Sequence, residues 1–145
     1  MARSYVYETE AVWVSERRVT IHSPGAPALE VSSPPEFQGQ EGVWTPETLL
    51  VASVNTCFVL TFLAIAQLSK LEVVSLRVRT WGRLEKLEGA GYQITEIVIK
   101  PLLGLRSETD RERAERLLEK AERNCFISNS IKANVRLEPE IIVSA

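Results

Sequence analysis

Residues Thr45–Leu68 read TPETLLVASVNTCFVLTFLAIAQL. The stretch opens with helix-start chemistry. Thr45 can cap, Pro46 fits the first helical position, where no N–H is needed, and Glu47 suits the positive end of a helix. After Glu47 no charge appears until Lys70, and apolar residues fall on every side of the helical wheel. A helix with no polar face must be wrapped by protein or by lipid. In its middle sits Cys57, one of two cysteines; the other is Cys125.

By length and hydropathy Thr48–Ala66 is a possible membrane span. Ser53, Asn55, Thr56 and Thr61 interrupt it, however, no basic flank anchors it, and amphipathic strands elsewhere need a core to cover. The helix is therefore read as the centre of a soluble protein with no membrane partner. A chain of 145 residues struggles to surround such a helix alone. Two copies packing their helices together, as a homodimer, is the economical solution.

Composition agrees with a soluble domain: 45% hydrophobic and 25% charged residues can build a core without staples. A net charge of −2, with no basic cluster, argues against nucleic acid as a partner. Two cysteines do not make a secreted disulfide scaffold, and the N-terminus lacks the apolar run of a signal peptide. The expected location is the cytoplasm, where a cysteine pair is more often redox-active than structural.

On the N-terminal side of the helix, Tyr5 to Ile21 reads as strands forming a hairpin, with Ser15-Glu16-Arg17-Arg18 as its turn. Ala28–Ser32 reads as a short strand, and Ser33–Gly42, with two prolines and two glycines, as a loop. Beyond the helix, Val74, Leu76 and Val78 alternate with Ser75, Arg77 and Arg79 as a half-buried strand. A turn at Glu88–Gly91 leads to a second strand, Tyr92–Ile99, closed by Pro101 and Gly104. Ser107–Asn124 is an amphipathic helix capped by Ser107 or Thr109, with Ala114, Leu117, Leu118, Ala121 and Cys125 on its buried stripe. Phe126–Ala133 is a short turn or helix. Asn134–Val143 is a last strand that Pro139 marks as an edge. No repeat, low-complexity tract or linker divides the sequence, so a single α+β domain over residues 1–145 is expected.

Which residues carry chemistry is a question of what surrounds Cys57. Its plain reading is a small buried hydrophobe, inert because burial raises a thiol's pKa. A reactive thiolate needs a positive group, and the helix contains no Lys, Arg or His. The group must come from another segment, and Arg17 and Arg18 are the candidates, against their plain reading as a solvated turn. Glu47 suits a helix start in any case; in a site it would orient an arginine through a two-pronged ion pair. Ten residues separate it from Cys57, about 15 Å on a straight helix, so in a two-fold dimer Glu47 of one copy could face Cys57 of the other. Cys125 reads plainly as a core residue. His22, the only histidine, makes no metal site without a second ligand.

These residues resemble a known family. Thr45-Pro46-Glu47 followed by Cys57-Phe58, and later Asn124-Cys125-Phe126-Ile127-Ser128-Asn129, look like the motifs of the OsmC/Ohr family of hydroperoxide-reducing proteins. The order of elements is similar over nearly the whole chain. The resemblance implies antiparallel sheets wrapped around a long buried central helix, and an intertwined homodimer with two interfacial active sites. It implies a cysteine-based organic hydroperoxide reductase of the stress response: Cys57 as the peroxidatic cysteine, Cys125 as the resolving cysteine, and Glu47 as partner of an activating arginine. The OsmC branch carries that arginine ten residues before the Glu, where this chain has Phe37; the Ohr branch takes it from the N-terminal region, which Arg17 or Arg18 could match. Proline usually follows the resolving cysteine, and here Phe126 stands there. The implied cycle runs through a Cys57 sulfenic acid and a Cys57–Cys125 disulfide, reduced by an external thiol or dithiol without a bound cofactor. The competing expectation is a non-catalytic dimeric stress-related module that binds a small apolar ligand at the subunit interface.

Overall fold

The structure, a computed structural model, describes residues 2–144. By its internal contacts the chain forms two compact units, the first ending at Leu50 and the second starting at Val51.

The first unit holds a three-stranded antiparallel sheet of β1 (Glu10–Ser15), β2 (Arg18–His22) and β3 (Leu29–Ser32) in that order. Strand structure starts at Glu10 rather than Tyr5; Tyr5, Val6 and Tyr7 lie exposed ahead of it, with no ladder partner. Arg18 is the first residue of β2 instead of part of the turn, because Ser15 and Arg18 already pair across the hairpin. The loop after β3 is tied back by Gln40 N–H donating to Ser32 Oγ and Ser32 N–H donating to the Trp44 carbonyl.

Helix α1 (Pro46–Leu68) starts where its sequence indicates. Thr48 N–H donates to Thr45 Oγ1 at 3.0 Å and Thr45 N–H to Thr48 Oγ1 at 2.9 Å, a reciprocal cap that satisfies two donors at the helix start. Its far end turns on Lys70, held at φ 56°, the left-handed position that glycine usually takes after a helix. Arg113 donates to the Ser69 carbonyl there at 2.6 Å.

The second unit is built on a mixed sheet. β4 (Val73–Lys86) and β5 (Tyr92–Leu105) pair antiparallel along their length. Both strands run further than the period-two signal indicated, since Pro101 and Gly104 lie inside β5 and do not end it. The expected single last strand is two, β6 (Asn134–Leu137) and β7 (Glu140–Val143), and both run parallel to β5. The break between them at Pro139 falls opposite Pro101, between the Ile99↔Leu137 and Leu102↔Glu140 pairs. Both prolines lack the N–H a continuous ladder would need there. A short turn capped by Ser107 leads into helix α2 (Arg111–Arg123), whose buried stripe is Ala114, Leu118 and Ala121.

These elements share one core: Val54, Phe58, Phe62 and Ala66 of α1, Ile97, Ile99, Leu103 and Leu105 of β5, and the α2 stripe. The four α1 residues recur every fourth position, so one face of the helix is sealed. The opposite face is open. Leu60 is 65% exposed and Leu68 85%, so a single chain leaves part of this apolar helix uncovered. One sheet and one short helix can cover only one side of a cylinder.

Candidate functional site

Cys57 and Cys125 reach each other from different elements. Cys57 lies on α1 one position before the core residue Phe58, which turns it to the border between sealed and open faces; it is half-buried and free. Cys125 lies just past α2, fully buried, where the chain turns down into the core. The Cys125 thiol is within hydrogen-bonding reach of the Cys57 sulfur, so two side chains 68 residues apart form one dithiol.

Their electrostatics diverge. Partial burial works against a charged Cys57, but it is outweighed by the N–H groups of Ile127 and Phe126, the Cys125 thiol and the Thr61 hydroxyl, which together favour its thiolate. Thr61 Oγ1 stands 4.0 Å from Cys57 Sγ, one helical turn along α1. The net effect places the Cys57 thiol below its ordinary pKa. Cys125 goes the other way: burial pushes its thiol up, and the neighbouring Cys57 adds to this against opposing donors on Ser128. At rest the Cys125 S–H points to the Val54 carbonyl at 4.0 Å. Within one dithiol the exposed sulfur is therefore the better nucleophile and the buried one the better-kept thiol.

The turn that aims these N–H groups is firmly tied. Asn129 N–H donates to the Cys125 carbonyl at 3.1 Å, Ser130 Oγ to the Phe126 carbonyl at 2.7 Å, and Asn129 Nδ2 to the Arg123 carbonyl at 3.0 Å. Sequence reasoning missed Thr61, Phe126, Ile127 and Ser128. Thr61 was visible at helical spacing from Cys57. The Phe126 contribution had one sequence signal: a proline there would have no N–H to give.

Cys57 opens into an apolar groove of about 790 Å³, lined by Leu60, Ile65, Leu68, Phe126 and Ile127 among others, with Lys120 at its border. The groove runs along the uncovered face of α1.

The remaining expected site residues lie in the first unit. Arg17 sits in the hairpin turn with no side-chain partner among the described residues. Arg18 is held: its Nε donates to Glu30 Oε2 and its Nη1 to Gln40 Oε1, both at 3.3 Å, while Thr20 Oγ1 donates to the same carboxylate. Arg18 in turn holds the Glu30 carboxyl below its usual pKa. Glu47 occupies the first turn of α1, and its Oε1 is buried without a hydrogen-bond partner, so no Glu47–arginine pair is formed among the described residues. No arginine is among the groups that act on Cys57. Among the described residues no three His, Cys, Asp or Glu side chains gather as a metal site.

The two pKa directions predict an alkylation profile. Thiolates react and thiols do not, so the rate at Cys57 is expected to reach half its maximum at a lower pH than that of an ordinary thiol. Cys125 is expected to need a higher pH and to react far more slowly. Iodoacetamide labelling across pH, read by peptide mass spectrometry, checks this; matching profiles for the two cysteines would contradict it.

Comparison with known proteins adds the following. Residues 39–140 match the family described as OsmC-like protein. The chain is 30% identical over 148 aligned positions to the uncharacterized protein YmaD of Bacillus subtilis (strain 168), covering 99% of this chain and 97% of that one. Among solved structures it is similar to an OsmC-like protein of unknown function, VCA0330, from Vibrio cholerae. That match has a TM-score of 0.85 and 23% identity, over 94% of this chain and all of that one. An organic hydroperoxide resistance protein from Elizabethkingia anophelis superposes with a TM-score of 0.78 at 21% identity, over 99% of this chain and all of that one.

Proposed function

The chain belongs to the OsmC-like family, and from that premise we propose that it is a thiol-dependent peroxidase reducing organic hydroperoxides to alcohols. The observation that carries the reading is the dithiol itself, with hydrogen-bond donors gathered on Cys57 and a buried thiol beside it. The Cys57 thiolate attacks the distal peroxide oxygen, the O–O bond breaks, and the alkoxide takes a proton and leaves as the alcohol. Cys57 is left as a sulfenic acid. Cys125 attacks that sulfur, the S–O bond breaks, and water leaves as the disulfide forms. An external thiol or dithiol restores both sulfurs by exchange, and no bound cofactor takes part. This cycle fits the reducing cytoplasm.

The apolar groove beside Cys57 suits an alkyl or aryl hydroperoxide better than hydrogen peroxide, because only the former buries carbon on binding. The open face of α1 supports a homodimer, in which a second copy covers Leu60 and its neighbours. In that dimer Arg18, already aligned by Glu30 and Gln40, is the guanidinium we assign to the site, ahead of the unsupported Arg17. The unpartnered Glu47 oxygen is the acceptor that such a pair would use.

The same groove favours a second reading, a non-catalytic module that holds a small apolar ligand. Thiol counting separates the two. Titrating reduced protein with cumene hydroperoxide is expected to consume two thiols per chain and to leave a Cys57–Cys125 disulfide in the peptide map. Thiols that survive excess peroxide would leave only the binding module. The variant Cys125→Ser is expected to complete the first step at an undiminished rate and then stall, accumulating sulfenic and sulfinic acid on Cys57. Intact mass after one equivalent and after excess peroxide checks this. Some turnover persists in that variant, since an external thiol can reduce a sulfenic acid directly.

A further inference from the structure

The turn after α2 holds one group that the peroxide chemistry leaves idle. Ser128 is buried, and its Oγ has almost no exposed area and no aligned hydrogen bond. Fully enclosed hydroxyls are almost always paired, and one left unpaired is a cost that needs a reason. Its neighbour is the Cys125 sulfur, within reach of both the Ser128 hydroxyl and the Ser128 N–H. In the resting dithiol the hydroxyl has no partner, and the Cys125 proton is directed at the Val54 carbonyl.

The resolving step reverses that situation. A sulfur that attacks must shed its proton, and a carbonyl can only accept, so Val54 offers a thiolate nothing. The groups facing Cys125 are the Val54 carbonyl, the Cys57 sulfur and Ser128, and no charged side chain is among those acting on it. Ser128 alone offers donors from outside the dithiol. The Phe126 and Ile127 N–H groups act on Cys57 instead.

We infer that Ser128 is the positioning residue of the resolving step, its hydroxyl and N–H holding Cys125 as a thiolate while that sulfur attacks oxidised Cys57. The inference rests on the peroxidase reading. As the S–S bond forms, with both electrons from Cys125, the S–O bond of the sulfenic acid breaks. The departing hydroxide takes the proton that Cys125 gave up and leaves as water. No reactant beyond the peroxide of the first step is required. Consecutive residues of one tied turn thus serve the two sulfurs separately, Phe126 and Ile127 one and Ser128 the other.

The test removes the hydroxyl and follows the two steps apart. Ser128→Ala protein, mixed with one equivalent of cumene hydroperoxide, is expected to form the Cys57 sulfenic acid within twofold of the wild-type rate. Disulfide formation is expected to slow roughly tenfold or more, the size of a lost hydrogen bond to a charged group. Sulfenic acid should become trappable by dimedone, the deficit should close as pH rises, and Ser128→Thr should restore the rate. A wild-type rate of disulfide formation in Ser128→Ala would overturn the assignment, as would failure of Ser128→Thr to recover it. A second arm needs no peroxide. In Cys57→Ser protein, Cys125 is titrated by its ultraviolet thiolate absorbance, and adding Ser128→Ala is expected to move that titration to higher pH. An unmoved titration sinks the role of Ser128 by itself, whereas a wild-type protein that consumes no peroxide sinks the enzyme reading and leaves this arm interpretable.

Discussion

Cys57→Ser is expected to abolish peroxide consumption, lowering kcat/KM at least about a thousandfold, while the protein stays folded. The donors gathered on residue 57 act by favouring a negatively charged sulfur. A serine hydroxyl there stays protonated across the working pH range, so the same donors have no anion to hold, and oxygen is a poor nucleophile toward a peroxide. The structural cost is small, because the residue is half-buried, serine is nearly the same size, and no core contact depends on the sulfur. Peroxide loss in a ferrous-oxidation assay, alongside circular dichroism and a melting curve, tests both halves. Residual turnover above a few per cent of wild type would move the chemistry away from Cys57.

Phe58→Ala is expected to be the most destabilising single change near the site, by about 3–5 kcal/mol. Phe58 is fully buried, stacks on Phe62 with ring centroids 6.4 Å apart, and belongs to the core shared by α1, β5 and α2. Removing its ring opens a cavity directly behind Cys57. Against a total stability of about 5–15 kcal/mol, such a loss leaves a marginal fold. Urea denaturation followed by tryptophan fluorescence measures it. Loss below about 1 kcal/mol would mean that the surrounding layers collapse into the space, and that the core is softer than its packing indicates. The contrast between neighbouring residues is informative: position 57 governs rate and position 58 governs folding.

Much of this was legible in the chain. Thr45, Pro46 and Glu47 marked the start of α1 to the residue, because capping chemistry is local. The stripe of α2 gave Cys125 its burial, because a charged helix with few apolar positions can turn only one way. What was hidden depended on partners distant in sequence. Pro101 and Gly104 read as strand ends, yet Pro101 sits where the opposite edge is itself broken at Pro139, so its missing N–H costs nothing. The parallel pairing of β6 and β7 had no local signature, since four-residue runs do not specify which neighbour they join. A cation beside Cys57 would be a side chain readable in the sequence, whereas the groups favouring its thiolate include the main-chain N–H groups of Ile127 and Phe126. Those leave no trace in composition.

The placement of β6 and β7 bears on how the molecule is made. Their inward residues, Val135, Leu137, Ile141 and Val143, pack on the core from a stretch made only after β5, α2 and the turn that follows it. The β4–β5 hairpin can close early, being local, but the far edge of β5 stays bare until that later stretch has been made. Throughout that interval the oily segment from Leu49 to Leu68 is already made and only partly sheltered. The nascent polypeptide is thus a natural client for holding chaperones, and truncation before Asn134 should send it to aggregates rather than to a smaller soluble fragment.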